Sequence, residues 1–183
     1  GTTAGTTAEA TAEAAAEAAA EATEEALPRG FALYRKPDAF AIAVPTGWTR
    51  EEKNDSVNWE RPAPLFTPLS WYLGARGDAR RRETRDPAEL LDQWRAMLGK
   101  EVFAPGSYRE LNRRSVPYPG GRAAELEFQF DHVDAPAVRV NLYARCIVRD
   151  SGGFGIFWFF APAHEWAEAG PFLDTFIRTF RIA

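Results

Sequence analysis

The sequence predicts an α+β fold, a sandwich built on a mostly antiparallel β-sheet. Strand-like segments follow one another in meander order, with one helical segment in mid-chain and one at the end. All 13 Phe, all six Trp and all five Tyr lie within residues 31–183 of the 183-residue chain, which supplies enough aromatic surface for one well-filled core. Because strands and helices do not alternate, a doubly wound parallel sheet is not expected.

The first half of this aromatic region carries three predicted strands. Large apolar residues alternate with alanines in 39–44, which predicts a strand that ends at the turn beginning with Pro45. A second strand begins with Val57 and Trp59, and apolar residues alternate again in 69–73 to form a third. The proline-rich run between the second and third strands, residues 61–68, predicts a loop or an irregular edge.

The first helix carries clear boundary signals. Asp86 is a candidate N-cap, Pro87 suits the first helical position, and Glu89 has the spacing of a capping box. An apolar stripe over 90–98 then predicts one face that packs on the sheet, and Gly99 predicts the C-terminal end.

Three strands and a final helix follow. Residues 124–130 alternate apolar side chains with acids, and residues 138–148 alternate them with arginines, so cross-strand charge pairs would help to set the register of a hairpin. Residues 154–160 are apolar on both faces, which predicts a central strand covered on both sides. The stripe over 172–180 predicts a C-terminal helix.

The charge is distributed unevenly along the chain. The formal net charge is −4, but residues 1–26 contain six Glu and no Lys or Arg, so the remaining 157 residues hold 20 acids and 22 bases. Residues 1–28 are therefore interpreted as an Ala/Thr/Glu-rich linker or stalk, and residues 29–183 as a single domain. A nearly neutral domain lacks the basic excess of a nucleic-acid binder.

Several reaction chemistries find no support in the motifs. The glycine pairs punctuate hairpins and precede no phosphate-binding helix, and kinase catalytic signatures are absent. Cys146 falls on the apolar side of its strand, which indicates a buried thiol. No cofactor and no metal are expected. An enzyme stays as an alternative, and it needs two or more of four residues to converge in one cleft: Asp131, His132, His164 and Glu165.

One basic cluster and one aromatic group are the candidates for binding. The cluster consists of Arg76, Arg80, Arg81, Arg82 and Arg85, which form either a solvated loop or a site for an anionic partner such as a phosphate-bearing cell-wall polymer or lipid headgroups. Further arginines that could extend it are Arg109, Arg113, Arg114 and Arg122. A large exposed apolar patch around Trp59, Phe66 or Trp71 would instead favour a protein-interaction surface.

The ordered motifs resemble a known family. Residues 34–48, YRKPDAFAIAVPTGW, resemble the opening of the C-terminal extracytoplasmic domain of actinobacterial eukaryotic-like serine/threonine protein kinases. Further matches are the helix start at 86–94, the strand at 108–111, the segment GRAAELEF at 121–128 and the ending at 162–180. The resemblance covers about residues 31–181.

This resemblance implies a fold and a role. The implied fold is the α/β/α sandwich shared with the photosystem II PsbP protein and a Ran-binding nuclear transport factor. The implied role is a non-enzymatic sensor or ligand-binding module, outside the cell and tethered to a membrane kinase, with a cell-wall polymer, lipid or protein as ligand and a monomeric or weakly dimeric state. A secreted or lipoprotein-type interaction domain is the alternative. The sequence departs from the family pattern in the insert 61–68 and the arginine cluster.

Overall fold

The computed structural model describes residues 27–183, so nearly all of the predicted linker lies outside the described residues. These described residues form ten strands and two α-helices, with a short 3₁₀ turn at Ala163–Glu165. In chain order they are β1 (Phe31–Lys36), β2 (Phe40–Pro45), β3 (Thr49–Lys53), β4 (Ser56–Glu60), β5 (Tyr72–Asp78), α1 (Pro87–Val102), β6 (Arg109–Tyr118), β7 (Gly121–His132), β8 (Ala135–Arg149), β9 (Phe154–Pro162), α2 (Trp166–Thr179) and β10 (Arg181–Ile182).

The main sheet is antiparallel and has seven strands in the order β3-β4-β5-β9-β8-β7-β6. It joins two meanders, β3 to β5 and β6 to β9, and α1 carries the chain from β5 to the far edge at β6. β9 is the central strand and all nine of its residues are buried, as its two-sided apolar sequence predicts. The predicted α+β sandwich with a mostly antiparallel sheet is therefore confirmed.

Each face of the main sheet has its own cover. On one face, Leu91 and Trp94 of α1 pack against the apolar side chains of β7, β8 and β9. On the other face lie α2 and a second, three-stranded sheet in the order β1-β2-β10. The sequence did not predict this second sheet, because residues 40–44 read equally well as a strand of the main sheet. Neither described helix is long and apolar enough to span a membrane.

The boundaries of α1 and β5 differ from the prediction. Asp86 caps α1, since its Oδ1 accepts a hydrogen bond from the backbone N–H of Ala88 at 3.0 Å, but α1 continues past Gly99 to Val102. A Cβ at Gly99 would contact the Phe103 ring at 2.8 Å, so this glycine makes room for an aromatic side chain and does not end the helix. The predicted strand 69–73 begins only at Tyr72 and runs to Asp78.

The predicted charge pairing between β7 and β8 is present. Glu125 is buried opposite Arg145, whose Nη1 donates a 2.7 Å hydrogen bond to it, and Tyr143 and Arg114 donate as well. Burial alone would raise the pKa of Glu125, but the hydrogen bonds from Arg114 and Tyr143 lower it below its usual value. A buried carboxylate with these donors penalises any slip of the hairpin, because a shift by one residue would move it to the opposite face.

The closest approach in the sheet predicts an overpacking effect. A Cβ at Gly74 of β5 would overlap the indole of Trp158 on β9. We expect Gly74→Ala to lower the free energy of unfolding by about 2–3 kcal/mol, measured by urea denaturation. In a Trp158→Leu background, which removes the ring, the same substitution should cost less than about 1 kcal/mol. Equal losses in both backgrounds would contradict the packing assigned to Gly74.

Candidate functional site

A cleft of about 340 Å³ opens where three chain reversals meet at the end of β5. The end of β1 contributes Lys36, the β1–β2 turn contributes Pro37 through Ala39, and the β3–β4 turn contributes Asp55. The last residues of β5 contribute Arg76, Gly77 and Asp78, and the following loop contributes Arg81. Phe154 at the start of β9 supplies an apolar wall. Three elements far apart in sequence thus place cations and carboxylates around one space.

Backbone contacts hold the walls of this cleft together. The N–H of Ala79 donates to the carbonyl of Asp38 at 2.8 Å, which fastens the end of β5 to the β1–β2 turn. A Cβ at Gly77 would lie 2.9 Å from the carbonyl oxygen of Ala39, so the two segments approach as closely as a glycine allows. Asp38 itself has φ 57°, a left-handed conformation that aspartate tolerates in turns.

Arg76 is the most unusual group in the cleft. On β5 it lies between Ser56 of β4 and Ile156 of β9, and its Nε is buried without a hydrogen-bond partner among the described residues. Burial lowers the pKa of its guanidinium, and the electrostatic influence of Cys146 and then of Asp55 partly offsets this effect. A buried donor without an acceptor costs about 1–3 kcal/mol, and more when it is charged. A hydrogen-bond acceptor placed at the Arg76 Nε–H group would therefore be stabilising.

The three carboxylates of the cleft are not equally available. Asp38 pairs with Arg80 at 2.6 Å, and Asp78 Oδ1 accepts the backbone N–H groups of Arg80 and Arg81 at 2.9 and 3.1 Å. Within residues 27–183, Asp55 has neither a hydrogen bond to its side chain nor an ion pair within 4.0 Å. The open polar groups that line the cleft are therefore Lys36, Arg76 and Asp55.

Glu83 anchors the loop that borders the cleft. Its carboxylate is 7% exposed and accepts from Arg85 Nε at 3.0 Å and Nη2 at 2.9 Å, and from the backbone N–H groups of Thr84 and Arg85. The hydrogen bonds from Arg85 hold the pKa of Glu83 at about 2. Arg81 reaches toward the same carboxylate at 3.5 Å and lies over the Phe154 ring at 5.3 Å. This loop is ordered by its own side chains.

The arginine cluster is divided by the fold. Arg76 and Arg81 line the cleft, whereas Arg80 pairs with Asp38, Arg85 binds Glu83, and Arg82 is exposed outside it. Interpreting the cluster as one solvated loop is thus wrong for Arg76, which belongs to β5. The arginines that could extend the cluster mostly pair elsewhere: Arg113 with Asp92, Arg114 with Glu125 and Arg122 with Asp86, while Arg109 is exposed on β6.

The proposed aromatic surface needs correction at two of its three residues. Trp59 is 4% exposed and Trp71 is 2% exposed, since both belong to the core between the main sheet and α2. The sequence could not reveal this because Trp71 precedes its strand and is covered by Phe172 and by the Arg61 guanidinium, 3.9 Å from its ring centre. Phe66, in contrast, is 99% exposed at the tip of the proline-rich loop.

The residues of the enzyme alternative have other partners. Asp131 pairs with Arg139 at 3.2 Å, and His132 Nδ1 accepts from the backbone N–H of Asp134. Glu165 accepts from the indole N–H of Trp71 at 3.3 Å, and His164 is exposed. Between residues 27 and 183, no group of three or more His, Cys, Asp or Glu side chains is placed to hold a metal ion.

Cys146 is buried as the sequence predicts, and burial raises the pKa of its thiol to about 12. Cleft residues that the sequence did not single out are Lys36, Asp38, Asp55, Asp78 and Phe154. They come from separate turns and strands with no common motif, so only the tertiary fold brings them together. The local feature that these turns share is a residue in the left-handed conformation, Asp38 in the β1–β2 turn and Asn54 in the β3–β4 turn.

The Glu83 anchor predicts a pH-dependent stability. Its folded-state pKa lies below the unfolded value, so its contribution is present above about pH 4.5 and is lost as the pH falls towards 2. We expect Glu83→Gln to destabilise the chain by about 1.5–3 kcal/mol at pH 7, because Arg85 loses its charged acceptor. In thermal denaturation, the difference in Tm between wild type and variant should decrease as the pH falls below 4.5. A difference in Tm that stays constant down to pH 2 would contradict the stabilising role of the ionised Glu83 carboxylate.

Structural comparison finds the same architecture in proteins of low sequence identity. Cyanobacterial PsbP (CyanoP) from Synechocystis sp. PCC 6803 aligns with a TM-score of 0.59 at 12% identity, covering 86% of this chain and 95% of that one. LpqN, involved in cell envelope biogenesis of Mycobacterium tuberculosis, aligns at 0.52 and 13% identity, covering 84% and 90%. The Saccharomyces cerevisiae Ran-binding protein Mog1p aligns at 0.51 and 12%, covering 83% and 95%. The expected PsbP-like sandwich is confirmed.

Sequence comparison identifies the family. No functionally curated protein matches the chain in sequence. A family model described as the serine/threonine kinase C-terminal domain matches residues 32–182, which include every strand and helix of residues 27–183 except the first residue of β1. The match agrees with the motifs at 34–48, 86–94 and 121–128. The chain belongs to the serine/threonine kinase C-terminal domain family.

Proposed function

We propose that this domain is an extracytoplasmic ligand-binding module that senses an anionic ligand on behalf of a serine/threonine kinase. The family is that of a kinase C-terminal accessory domain, and its structural neighbours fit a non-catalytic role. LpqN, with the same fold, is involved in cell envelope biogenesis, which supports an envelope location for this module. The observation that carries the proposal is the family match combined with a cleft lined by Arg76, whose Nε is buried and has no hydrogen-bond partner within residues 27–183.

The cleft has the properties of a ligand site. Its volume of about 340 Å³ lies near the lower end of the range for small-molecule pockets, about 300–1,000 Å³. Lys36, Arg76 and Arg81 approach it from β1, β5 and the following loop, so an anion inside it would meet cations from several directions. A charged acceptor on Arg76 would recover the hydrogen bond that the folded chain leaves unmade.

Ligand binding is tested by thermal denaturation and calorimetry of the 183-residue chain with soluble cell-wall fragments and anionic headgroup analogues. A ligand at 100 times its Kd adds about 2.7 kcal/mol of stability, which raises the Tm of a domain of this size by roughly 5–10 °C. Arg76→Gln should abolish the shift. Arg82→Gln, the same charge change at an exposed neighbour outside the cleft, should leave it intact.

The opposite pattern would contradict this site. If Arg82→Gln weakened the interaction as much as Arg76→Gln, binding would depend on the general charge of the loop and not on the cleft. If no anion bound at all, the ligand-binding role itself would fall. The extracytoplasmic location is tested separately by adding protease to intact cells that express the full-length kinase: loss of this domain from outside supports it, and protection contradicts it.

A second candidate function, contact with a protein partner, is favoured by the tip of loop 61–71. Leu65 and Phe66 are 89% and 99% exposed, and Phe66 has φ 70°, a conformation that costs a non-glycine residue about 1–2 kcal/mol. The turn is ordered, because the hydroxyl and the N–H of Thr67 donate to the carbonyl of Pro64 at 2.8 and 3.2 Å. Phe66 thus adds backbone strain to the isolated domain, while its side chain is almost completely exposed.

This arrangement predicts the effect of changing the tip. Phe66→Gly should keep the free energy of unfolding or raise it by up to about 1 kcal/mol, because glycine adopts positive φ without strain. Phe66→Ser should change it by less than about 0.5 kcal/mol. Urea denaturation measures both values, and sedimentation at high concentration shows whether Phe66→Ser reduces self-association. A loss of more than 1 kcal/mol in both variants would mean that Phe66 packs within the monomer.

A further inference from the structure

If the cleft is the ligand site of the proposed function, its open polar groups determine which chemical groups the ligand carries in addition to its negative charge. Two of the three lining carboxylates are engaged, Asp38 by Arg80 and Asp78 by two backbone N–H groups. Asp55 has no such partner and provides a charge that acts on Arg76. The cleft thus combines open cationic donors with one open anionic acceptor.

The donors favour an anion with several oxygens that point in different directions. A single guanidinium can satisfy both oxygens of a planar carboxylate in a bidentate pair. Here Lys36 comes from β1, Arg76 from β5 and Arg81 from the following loop, and each carries its donors on a different element. A phosphate monoester has three terminal oxygens and about −1.5 to −2 charge at pH 7, which matches several converging cations better than a carboxylate does.

The Asp55 carboxylate disfavours the binding of an anion that carries no hydrogen-bond donors. A carboxylate in the same cleft repels an approaching phosphate and weakens its binding. The same carboxylate becomes favourable when the ligand also carries hydrogen-bond donors, because it can accept them as an anion. Hydroxyl groups provide such donors without adding a positive charge that would compete with Lys36 and Arg76.

The remaining walls limit the size of the ligand. A cleft of about 340 Å³ accommodates one sugar-sized unit and not an extended polymer, although it can take the end of one. Phe154 offers a ring that is partly covered by Arg81, so the apolar contribution is small. A ligand that depends on a large hydrophobic group would find little surface here.

We propose that the cleft binds the phosphate monoester of a small polyol or sugar, with the phosphate held by Arg76 and Lys36 and a hydroxyl group donating to Asp55. The phosphate is free or forms the end of a larger molecule. Arg76→Lys tests the guanidinium specifically: it keeps the charge but loses the buried Nε donor, and it should weaken binding about tenfold or more.

The experiment compares glucose 6-phosphate, sn-glycerol 3-phosphate, inorganic phosphate and glucose by calorimetry on the 183-residue chain. We expect both phosphorylated polyols to bind about tenfold more tightly than inorganic phosphate, and glucose not to bind. Asp55→Asn should have opposite effects: weaker binding of glucose 6-phosphate, because a charged acceptor is lost, and tighter binding of inorganic phosphate, because the repulsion is removed. Arg82→Gln serves as the control and should change neither.

Asp55 is exposed in a turn, so Asp55→Asn should fold, and unchanged Tm in the absence of ligand verifies this. Flotation with vesicles containing lysophosphatidic acid, a phosphate monoester that keeps one free hydroxyl, distinguishes a headgroup from a free sugar phosphate: binding there that Arg76→Lys abolishes assigns the monoester to a lipid and supports the inference. Equal affinity for inorganic phosphate and glucose 6-phosphate, or a parallel response of both to Asp55→Asn, overturns it. If only carboxylate ligands bind, and do so through Arg76, the ligand-binding function stands and this inference fails.

Discussion

The two-sided apolar character of β9 is the constraint on which the rest of the structure depends. A strand from Phe154 to Pro162 with every residue buried must be covered on both faces, since its aromatic side chains alternate between them. α1 covers one face, and α2 with the small β1-β2-β10 sheet covers the other. The cleft lies where β9 begins, at the end of β5, between the β1–β2 turn, the β3–β4 turn and the loop that follows β5. The same architecture that closes the core thus leaves a polar opening at one end of its central strand.

Much of this architecture is predictable because it depends on local patterns. The two-residue alternation in β7 and β8, the continuous apolar run of β9 and the N-cap at Asp86 each report a local periodicity or a local hydrogen bond. The second sheet is not predictable in this way, since β2 looks alike whether it joins one sheet or another and β10 has only two residues. Gly99 was misassigned for a related reason: its neighbour in space, Phe103, lies beyond the helix end that the glycine suggested.

The cleft was only partly predictable. The arginine cluster includes Arg76 and Arg81, but a local concentration of charge does not indicate which of its members line a cleft. Arg76 is separated from the others by belonging to β5, where its neighbours across the sheet are fixed by pairing with β4 and β9. Lys36 comes from the end of β1 and Asp55 from the β3–β4 turn, both more than about 20 residues before the cluster. Trp59 and Trp71 illustrate the converse, because large aromatic side chains in an irregular region are as often core as surface.

The measurement that tests the central claim most directly is the NMR signal of the Arg76 Nε–Hε group in the 183-residue chain, assigned with the Arg76→Lys variant. If the cleft is a site for an anionic ligand, adding glucose 6-phosphate should shift this proton downfield, because a charged acceptor then forms the hydrogen bond that the folded chain leaves unmade. The corresponding signal of Arg82, outside the cleft, should not move. An Arg76 signal that stays unchanged at saturating ligand, while other regions respond, would contradict the assignment of the cleft.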